Sequence, residues 1–141
     1  MVEFNFLEKA PLRNRVPLKR FLAELCRAEG YTLRSLSIVF CSDDYLLEVN
    51  RTYLNHDFYT DIITFDYSDE PKVIDGELYI SVDRVMENST TYSVTAEREL
   101  HRVIFHGLLH LCGYTDNTKK AKEQMRARED LHLSNYFGSS T

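Results

Sequence analysis

Apolar and polar residues alternate at the start of the chain, where Val2, Phe4 and Phe6 are separated by Glu3 and Asn5, and this period of two predicts a half-buried strand. From Leu18 the period lengthens. Leu18, Phe21, Leu22 and Leu25 recur at helical spacing, with Pro17 suited to a first turn and Gly30 placed to stop the helix. The β-branched run from Leu36 to Cys41 predicts a second strand. Ser42 can then cap a helix that carries Tyr45, Leu46, Val49 and Tyr53, with Asp43 and Asp44 at its positive end. Asp61 to Tyr67 and Leu78 to Val82 predict two further strands, joined by a polar turn from Ser68 to Gly76 and able to form a hairpin.

Asp83 is placed to cap a short helix reaching Ser89. Thr95 is placed to cap a longer one from Ala96 to Cys112, with Glu97 and Glu99 in its first turn and Gly113 as its stop. A charged helix from Lys119 to Tyr136 follows. This order predicts one α/β (α+β) domain over residues 1–137, with a mixed four-stranded sheet and five helices, and a disordered tail at residues 138–141.

Composition narrows the picture. With 43% apolar residues, 141 residues suffice for one core, and a net charge of −5 argues against coating nucleic acid by bulk charge, so any such contact must be local. The three cysteines, Cys26, Cys41 and Cys112, are odd in number and lie in apolar runs, which disfavours a disulfide framework. The start of the chain has no signal-peptide pattern, and no run approaches a membrane span, so a soluble, cytoplasmic protein is expected.

The candidate chemistry lies in VIFHGLLHL, Val103 to Leu111, a helix apolar all round except for His106 and His110. Residues four apart share a face with Cβ atoms roughly 6 Å apart, so both imidazoles can reach one ion. Gly107 between them costs about 1 kcal/mol relative to alanine and suggests that something approaches closely there. A turn through Gly113, Tyr114 and Thr115 can swing Asp116 back toward the histidines. Two imidazoles and a carboxylate would leave a tetrahedral ion one open position, as in catalytic zinc sites. The pair could equally be hydrogen-bonded core histidines, with Asp116 a turn residue. His56, His101 and His132 lack this setting and read as ordinary surface or loop residues.

HGLLHLCGYTD, His106 to Asp116, resembles the signature of the YbeY family, whose pattern runs HGxLHLxGYDH. Asn50, Tyr53, Thr60, Asp61, Ile62 and Phe65 resemble the family's N-x-x-Y…T-D-V-L-S-F stretch, and Gly76, Leu78 and Ile80 the strand after it. The resemblance implies a zincin-like fold and one zinc on the HxxxH helix plus a following ligand. It also implies endoribonuclease action on single-stranded RNA, in the maturation of rRNA precursors and in ribosome quality control, with the small subunit or a ribosomal protein as partner.

Two positions depart from the pattern. Asp116 stands where the family has its third histidine; a carboxylate can bind zinc, but its extra charge should weaken the pull on water and admit harder metals such as manganese. Leu54 stands where many members carry an arginine suited to a phosphate, leaving Arg34, Arg51, Arg84 or another residue to supply that charge. The position that holds the base in HExxH proteases is Gly107, which disfavours peptide hydrolysis by that route. Asp61 is the acid to examine as proton acceptor or second support of the site, although a role tying down its loop is the simpler one, and the base stays unassigned. The rival reading is a non-catalytic assembly factor with a structural metal. It would need a fourth ligand such as Cys112, which lies about 200° around the helix from His110.

Overall fold

The computed structural model describes residues 1–138; the expected tail from Ser139 onward lies outside the described residues. Nine elements follow in order: β1 (Val2–Phe6), α1 (Arg15–Ala28), β2 (Thr32–Cys41), α2 (Asp43–Leu54), β3 (Ile62–Asp66), β4 (Val73–Ser81), α3 (Val82–Thr91), α4 (Ala96–Leu111) and α5 (Lys119–Phe137). The four strands form one mixed sheet in the order β1-β2-β4-β3. β1, β2 and β4 are mutually parallel neighbours, and β3 returns antiparallel to β4 as the expected hairpin.

Alternation along the strands sorts side chains onto two faces. Leu36, Ile38 and Phe40 of β2 and Leu78 and Ile80 of β4 join the main core with Leu18, Leu22 and Leu25 of α1 and Ile104, Phe105 and Leu108 of α4. On the opposite face Ile63 packs with Cys41 and with Leu46 and Val49 of α2. Thus α2 covers one face of the sheet while α1 and α4 cover the other, and α5 packs outside α4.

Several boundaries differ from the sequence reading by a few residues: α1 begins at Arg15, β3 spans Ile62–Asp66 and α3 runs on to Thr91. Three differences have a visible local reason. β4 begins at Val73, because Lys72 takes a left-handed conformation (φ 63°) that ends the turn early, and its carbonyl accepts the Thr32 N–H at 2.9 Å. β2 begins at Thr32, where it pairs with this added length of β4. The cap of α3 is Ser81, whose hydroxyl accepts the Arg84 N–H, and not Asp83, whose carboxylate accepts the Asp43 N–H at 2.8 Å. Ser42 and Thr95 cap α2 and α4 as expected.

Gly107 explains how closely α4 lies on the sheet. A Cβ there would stand 2.6 Å from Ile62 Cδ1 and 3.0 Å from Leu78 Cδ2. The missing side chain lets β3 and β4 press against the helix between its two histidines.

Candidate metal centre

With Gly107 against the sheet, His106 and His110 stand on a different stripe of α4, where their side chains remain 20% and 26% exposed. The helix ends as its glycine predicts. Gly113 sits at φ 96°, its N–H bonds the His110 carbonyl at 3.0 Å, and the Tyr114 N–H reaches back to the Leu109 carbonyl at 3.1 Å. This reversal returns Asp116, whose Oδ2 lies 3.4 Å from Nε2 of His106 and 3.4 Å from Nε2 of His110. The three donor atoms lie within 4.8 Å of one another, so His106, His110 and Asp116 could hold a metal ion.

The hydrogen bonds on the far side of each ring test that fit. His110 Nδ1 lies 3.0 Å from the Tyr114 carbonyl, which can only accept, so Nδ1 carries the proton. His106 Nδ1 lies 2.6 Å from Glu129 Oε2, a carboxylate, so it too donates. Both neutral rings therefore aim an Nε2 lone pair inward. These two nitrogens stand only 3.0 Å apart, with the Asp116 carboxylate beside them. Three lone-pair donors converging without a donor hydrogen repel one another unless a cation, proton or metal, sits among them. The donor set, imidazole and carboxylate, is one that zinc accepts.

A buried ion network behind His106 repeats the demand. Glu129 and Glu99 are 2% exposed, and Arg102 bridges them, with Nη1 3.0 Å from Glu129 Oε1 and Nε 2.9 Å from Glu99 Oε1. Two carboxylates against one guanidinium leave one net negative charge, which a positive charge on or beside His106 offsets. Burial pulls the His106 pKa down, but the bond and charge of Glu129 outweigh it and the net shift is upward. Burial likewise raises Glu129, yet His106 and Arg102 outweigh it and hold the carboxyl below its ordinary value.

His110 is positioned at one remove. Tyr114, whose carbonyl holds that ring, donates its hydroxyl to Glu29 Oε1 at 2.8 Å. Glu29 Oε2 also receives Arg128 at 2.7 Å and lies 2.6 Å from His132 Nε2. His132 is thus a buried anchor between α5 and the end of α1, not a surface residue, because the Glu29 carboxylate satisfies its ring. His101 is also buried. Its Nδ1 lies 2.6 Å from the Glu97 carbonyl and its ring stacks on Tyr136, while burial pushes its pKa down. His56 is exposed, stacked on Phe58.

Sequence reasoning missed Glu129, Glu29 and Arg102. A signal existed for the first. The buried stripe of α5 is Met125, Glu129, His132 and Leu133, a helical spacing in which two polar residues occupy core positions. Asp61 does not bond the histidines; its backbone carbonyl accepts the Ser81 N–H at 2.9 Å, and its charge adds to the upward pull on His106. The three arginines suggested as substitutes for the cation absent at Leu54 are all engaged. Arg51 is paired with Glu48 and Asp57, Arg84 with Asp43, and Arg34 with Glu70 and Asp75. Cys112 is buried, and the Cys26 thiol beside it, together with burial, pushes its thiol pKa up.

Comparison with known proteins agrees with this architecture. The family model described as Endoribonuclease YbeY matches residues 12–137. A protein named Endoribonuclease YbeY from Cytophaga hutchinsonii is 50% identical over 123 residues, covering 87% of this chain and 86% of that protein. One of the same name from Porphyromonas gingivalis is 44% identical over 136 residues, covering 94% and 89%. The solution structure of TM1509 from Thermotoga maritima superposes with a TM-score of 0.67 at 26% identity, covering 98% of this chain and 90% of that one.

Proposed function

Because this chain belongs to the Endoribonuclease YbeY family, we propose that it hydrolyses single-stranded RNA at one metal ion held by His106, His110 and Asp116. The observation that carries this reading is the convergence of two Nε2 atoms and a carboxylate, each histidine being held from behind through its Nδ1. Zinc suits the donor set, and Asp116 leaves room for manganese or another divalent transition metal. When bound, the ion would supply Lewis-acid polarisation of a phosphoryl oxygen and acidify a water near neutral pH.

This chain's own residues set the geometry. Glu129 orients His106 and raises its basicity, and the Tyr114 carbonyl orients His110. With three protein ligands, a tetrahedral ion would keep one position for water or substrate. A structural metal in a non-catalytic assembly factor would call for a fourth protein ligand, and Cys112 is not in the group of side chains that converge there. Precursors of rRNA, on or near the small ribosomal subunit in the cytoplasm, are the proposed substrates. Purified protein loaded with zinc should cleave a labelled single-stranded RNA, chelation should stop it, and His110→Ala should abolish it. Cleavage unchanged in His110→Ala would refute the assignment.

A further inference from the structure

We propose that Lys119, Lys122 and Arg126, on one face of α5, hold backbone phosphates of an RNA strand beside the candidate metal centre. The proposal rests on the RNA-cleaving reading and names the charge that Leu54 does not provide.

Pairing and placement together single these residues out; among the described residues Lys9, Arg13 and Arg20 also make no ion pair, but they do not line the groove beside the candidate trio. Arg34, Arg51, Arg84, Arg102 and Arg128 are each held by carboxylates at hydrogen-bonding distance. Among the described residues, Lys119 and Lys122 make no ion pair, and Arg126, with a side chain 59% exposed, comes only within 4.0 Å of Glu129. In a chain with net charge −5, a group of unpaired cations is where a polyanion can be attracted locally.

Their placement suits a strand. Positions 119, 122 and 126 are three and four apart, so they form one row, about 10 Å long at 1.5 Å per residue. That is long enough to meet about two or three consecutive phosphates of one strand. The row borders an open groove of about 670 Å³ that begins at Asn117, the residue after Asp116. At its other end Arg126 approaches Glu129, the carboxylate that holds His106. The groove is therefore linked to the candidate trio twice, by the Asp116–Asn117 peptide and by Glu129, which lies between Arg126 and His106. Glu123 and Asp130 also line the groove, so the attraction depends on the long lysine and arginine side chains reaching past them.

The test is the salt dependence of RNA binding by zinc-loaded protein, read by fluorescence anisotropy with a labelled single-stranded oligonucleotide whose 2′-O-methyl sugars resist cleavage. Each lost phosphate contact removes about 0.7 from the slope of log affinity against log salt. Replacing Lys119, Lys122 and Arg126 together by glutamine should flatten that slope by about 2 and weaken low-salt binding at least tenfold. Glu123→Gln with Asp130→Asn should tighten binding, an effect that a merely structural role would not produce. Neutralising the exposed Lys9, Arg13 and Arg20 changes the net charge equally and should leave the slope as in the parent. An unchanged slope in the α5 variant, or an equal loss in the distant one, overturns the proposal. If the parent still cleaves RNA in a His110-dependent way, only the phosphate row has failed; if the parent neither binds nor cleaves RNA, the functional reading fails with it.

Discussion

Glu129→Gln is the perturbation that tests the site most directly, because the replacement is isosteric and the side chain is 2% exposed. Glutamine keeps one carbonyl oxygen but presents an NH2 where the second carboxylate oxygen now accepts. In the wild-type protein both oxygens accept from donors, His106 Nδ1 at 2.6 Å and Arg102 Nη1 at 3.0 Å, so one donor must face another. Two consequences have magnitudes. Loss of the carboxylate behind a ligating histidine weakens metal binding by roughly 10- to 100-fold, or about 1.4–2.7 kcal/mol at 1.36 per decade. Breaking a buried ion pair from one side costs about 3–5 kcal/mol, and the retained carbonyl places this case near the lower end. For a domain of this size 3 kcal/mol lowers Tm by roughly 10 °C.

Zinc competition against a colour-changing chelator reads the first effect, and thermal melting of metal-free and zinc-loaded protein reads the second. Both should appear in the same variant, and zinc should still raise its Tm, which shows that the site has folded. If Glu129→Gln binds zinc as tightly as the parent, the carboxylate does not orient His106. A melting curve equal to the parent's would show that the Glu99–Arg102–Glu129 network adds nothing to stability.

Asp116→Ala should lower zinc affinity while Asp116→His, which restores the family pattern, keeps or tightens it; equal binding by both would place the third ligand elsewhere. Gly107→Ala should destabilise by about 1–3 kcal/mol through overpacking, since its Cβ would meet Ile62 Cδ1 at 2.6 Å. Ile62→Val should recover part of the loss, and a Tm unchanged by Gly107→Ala would contradict the close approach. For metal-free protein, stability should be greatest in weakly acidic solution. The raised His106 pKa contributes stability that is full below 6.5 and lost as pH rises through the raised value. The lowered Glu129 pKa contributes stability present above 4.5 and lost as pH falls through the lowered value. Zinc should reverse the upper limb, because protons compete for the same nitrogens, and a metal-free Tm that stays flat across neutrality would refute the coupling.

That His106, His110 and Asp116 come together in space was legible in sequence because the information is local. Four-residue spacing, an interior glycine and a glycine stop lie within eleven residues, and each has a direct backbone consequence. Order and type of the elements were legible for the same reason, since caps such as Ser42 and Thr95 act on the next turn. What was not legible depends on chain segments far apart. Glu129 acts on a residue 23 positions away, and Glu29 on one 103 away. Nothing in either local pattern says which helix faces which. His101 and His132 were read as exposed because polar residues usually are; tertiary packing supplied His132 with a carboxylate and His101 with aromatic rings. The start of β4 was misplaced because Asp75 and Gly76 read as turn chemistry, whereas parallel pairing with β2 holds them extended.

Charge ties the departures from the family pattern together. A divalent ion on two neutral imidazoles and Asp116 carries one net positive charge, and the Glu99–Arg102–Glu129 network behind it carries one net negative charge. The loaded centre is thus close to neutral, whereas a histidine in place of Asp116 would leave it one unit positive. A neutral centre attracts a phosphodiester weakly, and Leu54 adds no cation. The acidic surface of the chain makes the deficit larger. If RNA is the substrate, its binding energy has to come from cations outside the ligand sphere, and α5 carries them along the edge of the site. On this reasoning Asp116→His and neutralisation of the α5 row should act in opposite directions on RNA affinity. Combined, they should partly cancel, which a purely structural role for either would not predict.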